Sequence, residues 1–371
     1  MGKYIMVGCD LHDASMLLKA AVDRQESQKL CFDNDPEGRP RMIAELKRRK
    51  KAAKADRIYF AYEASGLGFT LYDELTEAGI TCFVLAPSRM ERSVKQRRNK
   101  TDDKDAERLL KELRGHLLGG NELPAIWVPD PQTRDDRLVV RARLDVGQKR
   151  TGVKTQIRSL LKLHAVPRSR RTPGGRTKAY RAWLQSLSDS EQALPWGARI
   201  ALKTLLAQLA ALDQELARLD EAVRSMAEFP RYAEAVRELT KLTGVGILMA
   251  MVFLTEMGDL SRFPNREAIG AYLGLAPSAD ESGEQEAHKG HITGHGSGRV
   301  RYMLCQITWV RKRLDPATKE RYERIAARNP KHKKIATVAM MRQLAVLLWH
   351  IGLEAQRRAG VFPPRATATA A

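Results

Sequence analysis

The chain has 371 residues, with 64 Lys plus Arg against 44 Asp plus Glu, a formal charge of +20. That balance points to a polyanion partner, either nucleic acid or an anionic membrane surface, and the length allows roughly two or three domains with real cores. No apolar run reads as long enough to span a bilayer, no charged-then-apolar leader is expected, and Cys9, Cys31, Cys82 and Cys305 show no metal-ligand spacing, so nucleic acid and a reducing cytoplasm are the expected partner and setting.

Residues 4 to about 115 alternate between strand and helix patterns. Strands are expected over 4–10, 16–22, 28–33, 57–63 and 80–85, with helices over 39–54 and 68–78. Asp33-Asn34-Asp35-Pro36-Glu37-Gly38 is turn chemistry. A strand meander followed by helix–strand–helix–strand predicts an α/β layer fold.

Four carboxylates stand out in this part. Asp10 ends the apolar run from Tyr4, and Glu63 ends the run from Ile58. Asp102 and Asp105 share one face of a helix that opens at Lys100-Thr101-Asp102. Thr101 as an N-cap and the helix dipole would account for Asp102 and Asp103 without any site. They would not account for acids at the ends of two apolar strands, where burial is costly without a ligand. Asp103 should point about 100° away from Asp102 and is left out. Converging carboxylates repel and call for hard divalent cations, Mg²⁺ or Mn²⁺. A nucleotide-hydrolysing kinase-like fold also opens with a strand ending in Asp. It wants glycines just after, and here Leu11-His12-Asp13-Ala14-Ser15 has none.

From about 132 the pattern turns to long helices. Val139, Val146, Val153 and Leu160 recur every seven residues, and Leu205, Leu209, Leu212, Leu216, Leu219, Val223 and Met226 step by four and three. This predicts an antiparallel coiled coil with arms on the order of 40 Å, folded back at Pro167 and Pro173-Gly174-Gly175; an ordinary bundle is the alternative. Residues 146–188 hold no Asp or Glu. Lys149, Arg150, Lys154, Arg158, Arg168, Arg170 and Arg171 therefore read as a phosphate-tracking surface rather than a merely solvated one.

A further helical unit runs from about 236 to 355. Leu242-Thr243-Gly244-Val245-Gly246 is either a tight hairpin that could approach a phosphate or a plain helix corner. After Gly274-Leu275-Ala276-Pro277-Ser278 comes a polar, Gly-rich stretch from Glu281 to Gly298, then a basic helix with Arg299 and Arg301. Ser278, Ser282 and Ser297 are possible nucleophiles there. His288, His291 and His295 have no accompanying Cys or second cluster for zinc. The tail after Gly360 is Pro/Ala/Thr-rich and predicted disordered. The expected division is 1–130, 131–232, 233–358 and 359–371.

These motifs together resemble the insertion-sequence one-ten family of DEDD transposases, with its eleven-eleven branch. Gly8-Cys9-Asp10, Tyr62-Glu63-Ala64-Ser65-Gly66 and Lys100-Thr101-Asp102-Asp103-Lys104-Asp105-Ala106 are similar to its RuvC-like, ribonuclease-H-fold domain. Leu242 to Gly246, Phe263, Ala271 to Pro277, Ser282-Gly283, Ile292-Thr293 through Gly296, and Arg301 are similar to its second, mostly α, transposase domain. The resemblance implies Asp10, Glu63, Asp102 and Asp105 as metal ligands and Ser282 as a nucleophile joined covalently to DNA. It also implies donor and target DNA, a structured guide RNA, and a homo-oligomer, dimer or tetramer, working at the bacterial nucleoid without a membrane. Glu281, Gly294, His295 and Ser297 depart from the family pattern, and Ser297 is the fallback nucleophile. Two other readings use the same residues: a metal-dependent nuclease or resolvase forming no adduct, and a non-catalytic nucleic-acid-binding protein.

Overall fold

Alternating apolar residues make the first sheet, because a pleated strand sends successive side chains to opposite faces. The computed structural model describes residues 2–90, 102–166, 177–280, 288–328 and 330–362. The chain forms two compact units, Met1–Val128 and Pro129–Ala371. A mixed α/β sheet unit is thus followed by a helical one.

In the first unit β1 (Tyr4–Leu11), β2 (Ser15–Val22), β3 (Gln28–Asp33), β4 (Arg57–Glu63) and β5 (Thr81–Leu85) lie in the order β3-β2-β1-β4-β5. The first three strands form an antiparallel meander, and β4 runs parallel to both β1 and β5. Helices α1 (Gly38–Ala53) and α2 (Thr70–Glu77) cover one face, and α3 (Asp102–Gly119) covers the other. On β1, Ile5, Val7 and Cys9 pack with Met42, Leu46, Leu71 and Leu75, while Met6 packs with Leu109, Leu110 and Leu113 of α3. The predicted turn is held by Asp35, whose carboxylate accepts from the amides of Glu37 and Gly38. This strand order is consistent with the ribonuclease-H-like domain implied by the resemblance.

The second unit opens with α4 (Pro131–Leu163), capped by Asp130, which accepts from the Thr133 amide at 2.9 Å, with Pro131 in the first turn. It continues through α5 (Lys178–Asp189) and α6 (Trp196–Ala227). Helices α4 and α6 run antiparallel: Arg143 pairs with Asp220, and seven residues later Arg150 pairs with Asp213. On α6, Leu209, Leu216, Leu219, Val223 and Met226 of the expected seam are buried, Leu205 and Leu212 are half-covered, and Leu202, outside that seam, is buried as well. On α4 the seam differs from the strict heptad. Val140, Val153, Ile157 and Leu161 are the buried apolar positions, and Val139, Val146 and Leu160 are half-covered. A straight helix drifts about 20° per heptad, and α5 adds Leu184 and Trp183 to one end of the contact, widening the stripe.

The rest of the unit is α7 (Pro230–Thr240), α8 (Ile247–Met257), α9 (Arg266–Tyr272), the hairpin β6 (Pro277–Asp280) and β7 (His288–Ile292), α10 (Gly298–Leu314), α11 (Pro316–Arg328) and α12 (Lys334–Ala359). Helix α8 is buried from Ala250 to Met257. The turn before it holds Gly244 at positive φ, where an added Cβ would lie 3.1 Å from Val310 of α10, so this glycine seats a helix corner. Helix α12 corrects one expectation. By length and composition it is apolar enough to cross a membrane. Its Met341, Leu344, Ala345, Leu348 and Trp349 instead join the core, and the Trp349 indole donates to the Leu260 carbonyl at 2.9 Å.

Candidate metal centre

Asp10 and Glu63 stand one residue past the last registered pair of parallel neighbours β1 and β4, Cys9 with Tyr62. Strand alternation turns both toward the face covered by α3, the helix that carries Asp102 and Asp105. Helix α3 approaches β1 closely because residue 8 is glycine. A Cβ there would lie 2.2 Å from the Ala106 carbonyl oxygen and 2.4 Å from the Leu110 nitrogen. Contacts of backbone with backbone leave no room for even one methyl group.

Asp10, Asp102 and His12 come together at this end of the sheet. One donor atom from each lies within 4.8 Å of the others. His12 Nε2 is 3.1 Å from an Asp10 carboxylate oxygen and 3.6 Å from one of Asp102. Asp10 is the most enclosed of the three, its side chain 18% exposed. Burial pushes the Asp10 carboxyl above its ordinary value, and the charges of Asp105 and Asp102 push the same way, against the pull of His12. A site that resists a lone negative charge and gathers hard donors fits a divalent cation. The carboxylates suit Mg²⁺, and the imidazole nitrogen makes Mn²⁺ equally acceptable.

The other two acids are placed differently. Asp105 is outside the three-donor group but close enough to raise the Asp10 carboxyl. Glu63 takes an ion pair from Arg108, one turn beyond Asp105 on α3. Asp103 points away, to Lys19 at 2.9 Å and Lys29 at 3.7 Å on β2 and β3, in keeping with its omission from the sequence set. Thr101 lies outside the described residues. Sequence reasoning passed over His12. The signal was the spacing Asp10-x-His12, which puts both side chains on one side of an extended segment.

Ser282 also lies outside the described residues, as do Glu281, Gly283, Arg168, Arg170 and Arg171. The strands that precede and follow Ser282, β6 and β7, are antiparallel, with Pro277 opposite Ile292 at their base. That base is backbone packed on backbone. Added Cβ atoms at Gly274 and Gly296 would lie 2.2 Å from the His295 carbonyl oxygen and 1.9 Å from that of Tyr272. Arg301 locks the same turn by donating to the carbonyls of Leu273, His295 and Gly296. Ser297 caps α10 through the Val300 amide and also bonds Glu256. Arg299 pairs with Asp145 of α4 at 3.0 Å. Glu256 is buried and takes a two-pronged pair from Arg141 at 2.7 and 3.0 Å.

The acid-free stretch is therefore not uniformly free. Its Arg150 and Arg181 share Asp213, supplied by α6. Lys149 and Arg158 are exposed on α4, and Lys154 is half-buried.

Residues 7–165 match the DEDD family of IS110 proteins, described as Transposase, and residues 236–323 match the family described as Transposase IS116/IS110/IS902 family. The chain is 31% identical over 328 residues to a Sinorhizobium fredii protein named as a transposase, y4rJ, a match covering 83% of this chain and 80% of that one. A second protein of that organism named as a transposase, y4qE, is 29% identical over 334 residues, covering 82% and 78%. The transposase for insertion sequence element IS1533 of Leptospira borgpetersenii is 25% identical over 268 residues, covering 71% and 73%.

Proposed function

This chain belongs to the IS116/IS110/IS902 family of transposases, and from that we propose that it recombines insertion-sequence DNA through a covalent seryl–DNA intermediate. The observation that carries the reading is the meeting of Asp10, His12 and Asp102 at the end of the sheet, with Asp105 close behind. Asp10, Asp102 and Asp105 would hold Mg²⁺ or Mn²⁺, with His12 as a further donor, and Glu63 would join once released from Arg108. A bound divalent ion supplies charge neutralisation at phosphate and lowers the pKa of an attacking hydroxyl.

Ser282 is the proposed nucleophile. Its Oγ forms a bond to phosphorus as the bond from phosphorus to the 3′-oxygen breaks. The serine proton leaves, and the departing oxygen takes up a proton as a free 3′-hydroxyl. The seryl phosphodiester conserves the bond energy, so religation to another 3′-hydroxyl needs no nucleoside triphosphate. The acids belong to the first unit of the sequence and Ser282 to the second, so the reading requires an assembled site, and the proposal includes a homo-oligomer, dimer or tetramer, as its setting. The rigid turn around Gly274, Gly296 and Arg301 supports it, because a nucleophile must be presented from a fixed frame.

The antiparallel pair α4 and α6 serves in this proposal as a coiled-coil arm for assembly. The exposed Lys149 and Arg158, with Lys154, Arg168, Arg170 and Arg171, track the phosphates of DNA or of a structured guide RNA that would supply sequence choice. Arg301 acts there through the turn it holds, and Arg299 from its pair with Asp145 at the start of α10. Action on DNA would place the protein at the nucleoid. The test is to trap the reaction on a labelled DNA junction and map the attached residue. The wild type should give an adduct at Ser282, and Ser282→Ala none. An adduct that survives in Ser282→Ala would exclude this serine, and cleavage with no adduct in the wild type would favour the nuclease reading.

A further inference from the structure

The second unit contains a groove of about 1560 Å³ in which the acid cluster has no part. It is bounded by the start of α9, the base of the β6–β7 hairpin, the segment between α11 and α12, and the first turns of α12. Its cationic side chains are Arg266, Lys331, Lys333, Lys334 and Arg342. Its one carboxylate, Glu267, is already engaged by Arg266 at 2.8 Å. The apolar lining comes from Leu275, Ile292, Ile335, Val338 and Val346.

Size and chemistry together define the occupant. Small-molecule sites enclose about 300–1,000 Å³, so this groove suits a length of polymer better than a metabolite. The excess positive charge selects an anionic polymer. Among the described residues the lysines at 331, 333 and 334 are exposed, which leaves them available to phosphates. A duplex would offer the groove only its phosphates and leave the apolar lining uncovered. A single strand turns its phosphates one way and its unstacked bases the other, matching both surfaces at once.

We infer that this groove binds a single-stranded segment of nucleic acid, with its phosphates on Lys331, Lys333, Lys334 and Arg342 and its bases against Ile335, Val338 and Ile292. The inference rests on the nucleic-acid reading above and deepens it. Pro277 and Ile292, which line the groove, are the pair at the base of the hairpin whose strands flank Ser282. A strand held there is an unpaired segment next to the frame of the proposed nucleophile.

The experiment uses the full-length protein and fluorescence anisotropy with a 12-nucleotide single-stranded DNA, the RNA of the same sequence, and the corresponding DNA duplex, over a range of salt. The triple variant Lys331→Ala, Lys333→Ala, Lys334→Ala is compared with wild type and with a control triple of Lys47, Lys50 and Lys51 changed to Ala. Losing about three phosphate contacts should flatten the salt slope for single strands by ~2 and weaken their binding at least tenfold, while duplex binding changes less than threefold. The DNA and RNA arms report which strand is preferred. In the wild type, a photoactivatable thymine or uracil analogue should crosslink to the peptide containing Ile335 and Val338. Unchanged single-strand binding, an equal loss for the duplex, or an equal loss in the control triple would each overturn the site. A wild-type protein that binds no nucleic acid would overturn the proposed function as well.

Discussion

Gly8→Ala is the sharpest test of how the acids are brought together. The new methyl carbon would begin 2.2 Å from the Ala106 carbonyl oxygen, whereas ordinary contact starts at 3.4 Å. Relief requires α3 to retreat from β1 by the difference, about 1.2 Å, since both atoms struck are backbone and cannot rotate aside. Asp102 and Asp105 ride on that helix and Asp10 on that strand, so the donors separate by a similar amount. Overpacking of this kind costs about 1–3 kcal/mol of stability, and a 1 Å misplacement of reacting groups costs on the order of 10²-fold in rate. The measurements are the urea midpoint, Mn²⁺ affinity by paramagnetic resonance titration, and single-turnover strand cleavage. A fall in all three is expected. A folded variant with wild-type metal affinity and rate would refute the claim that Gly8 sets the distance.

His12→Ala should weaken Mn²⁺ binding by about tenfold or more and Mg²⁺ binding by less, because the softer nitrogen donor is lost while both carboxylates remain; isothermal titration with each ion checks this, and equal losses would argue against ligation by His12. Glu256→Gln should cost about 1.5–3 kcal/mol at pH 7 by replacing the charged partner of Arg141, whose half-open guanidinium water can still reach, read as a lower urea midpoint. Burial works to raise the Glu256 carboxyl, but hydrogen bonding and charge from Arg141, then Arg137, hold it below its ordinary 4.5. Its stabilisation is therefore complete above that ordinary value and lost as pH falls through the depressed one. The gap between wild type and variant should close on acidification, and a gap that persists at low pH would point to shape rather than charge.

Much of the first unit was legible because its signals are local. All five strands lie within a residue or two of where apolar alternation puts them, and the Asp33–Gly38 turn forms as its side-chain chemistry requires. The long helices α4 and α6 were legible as helices from local apolar spacing, but of the four heptad positions expected on α4 only Val153 is buried. The expectation that no apolar run is long enough to span a bilayer failed for α12, whose composition reads the same for a core helix as for a membrane helix.

Sequence by itself determined that acids would end two strands and open one helix, and that the chain would be strongly basic. Tertiary structure decided which of those groups meet. Glycine at 8 lets α3 down onto the sheet, His12 enters the group, and Arg108 claims Glu63. Asp213 and Asp145 likewise take up Arg150 and Arg299, pairings between residues 63 and 154 positions apart. Charge and hydrogen bonding act over a few ångströms of space whatever the distance along the chain, so their partners are settled only when the elements have packed.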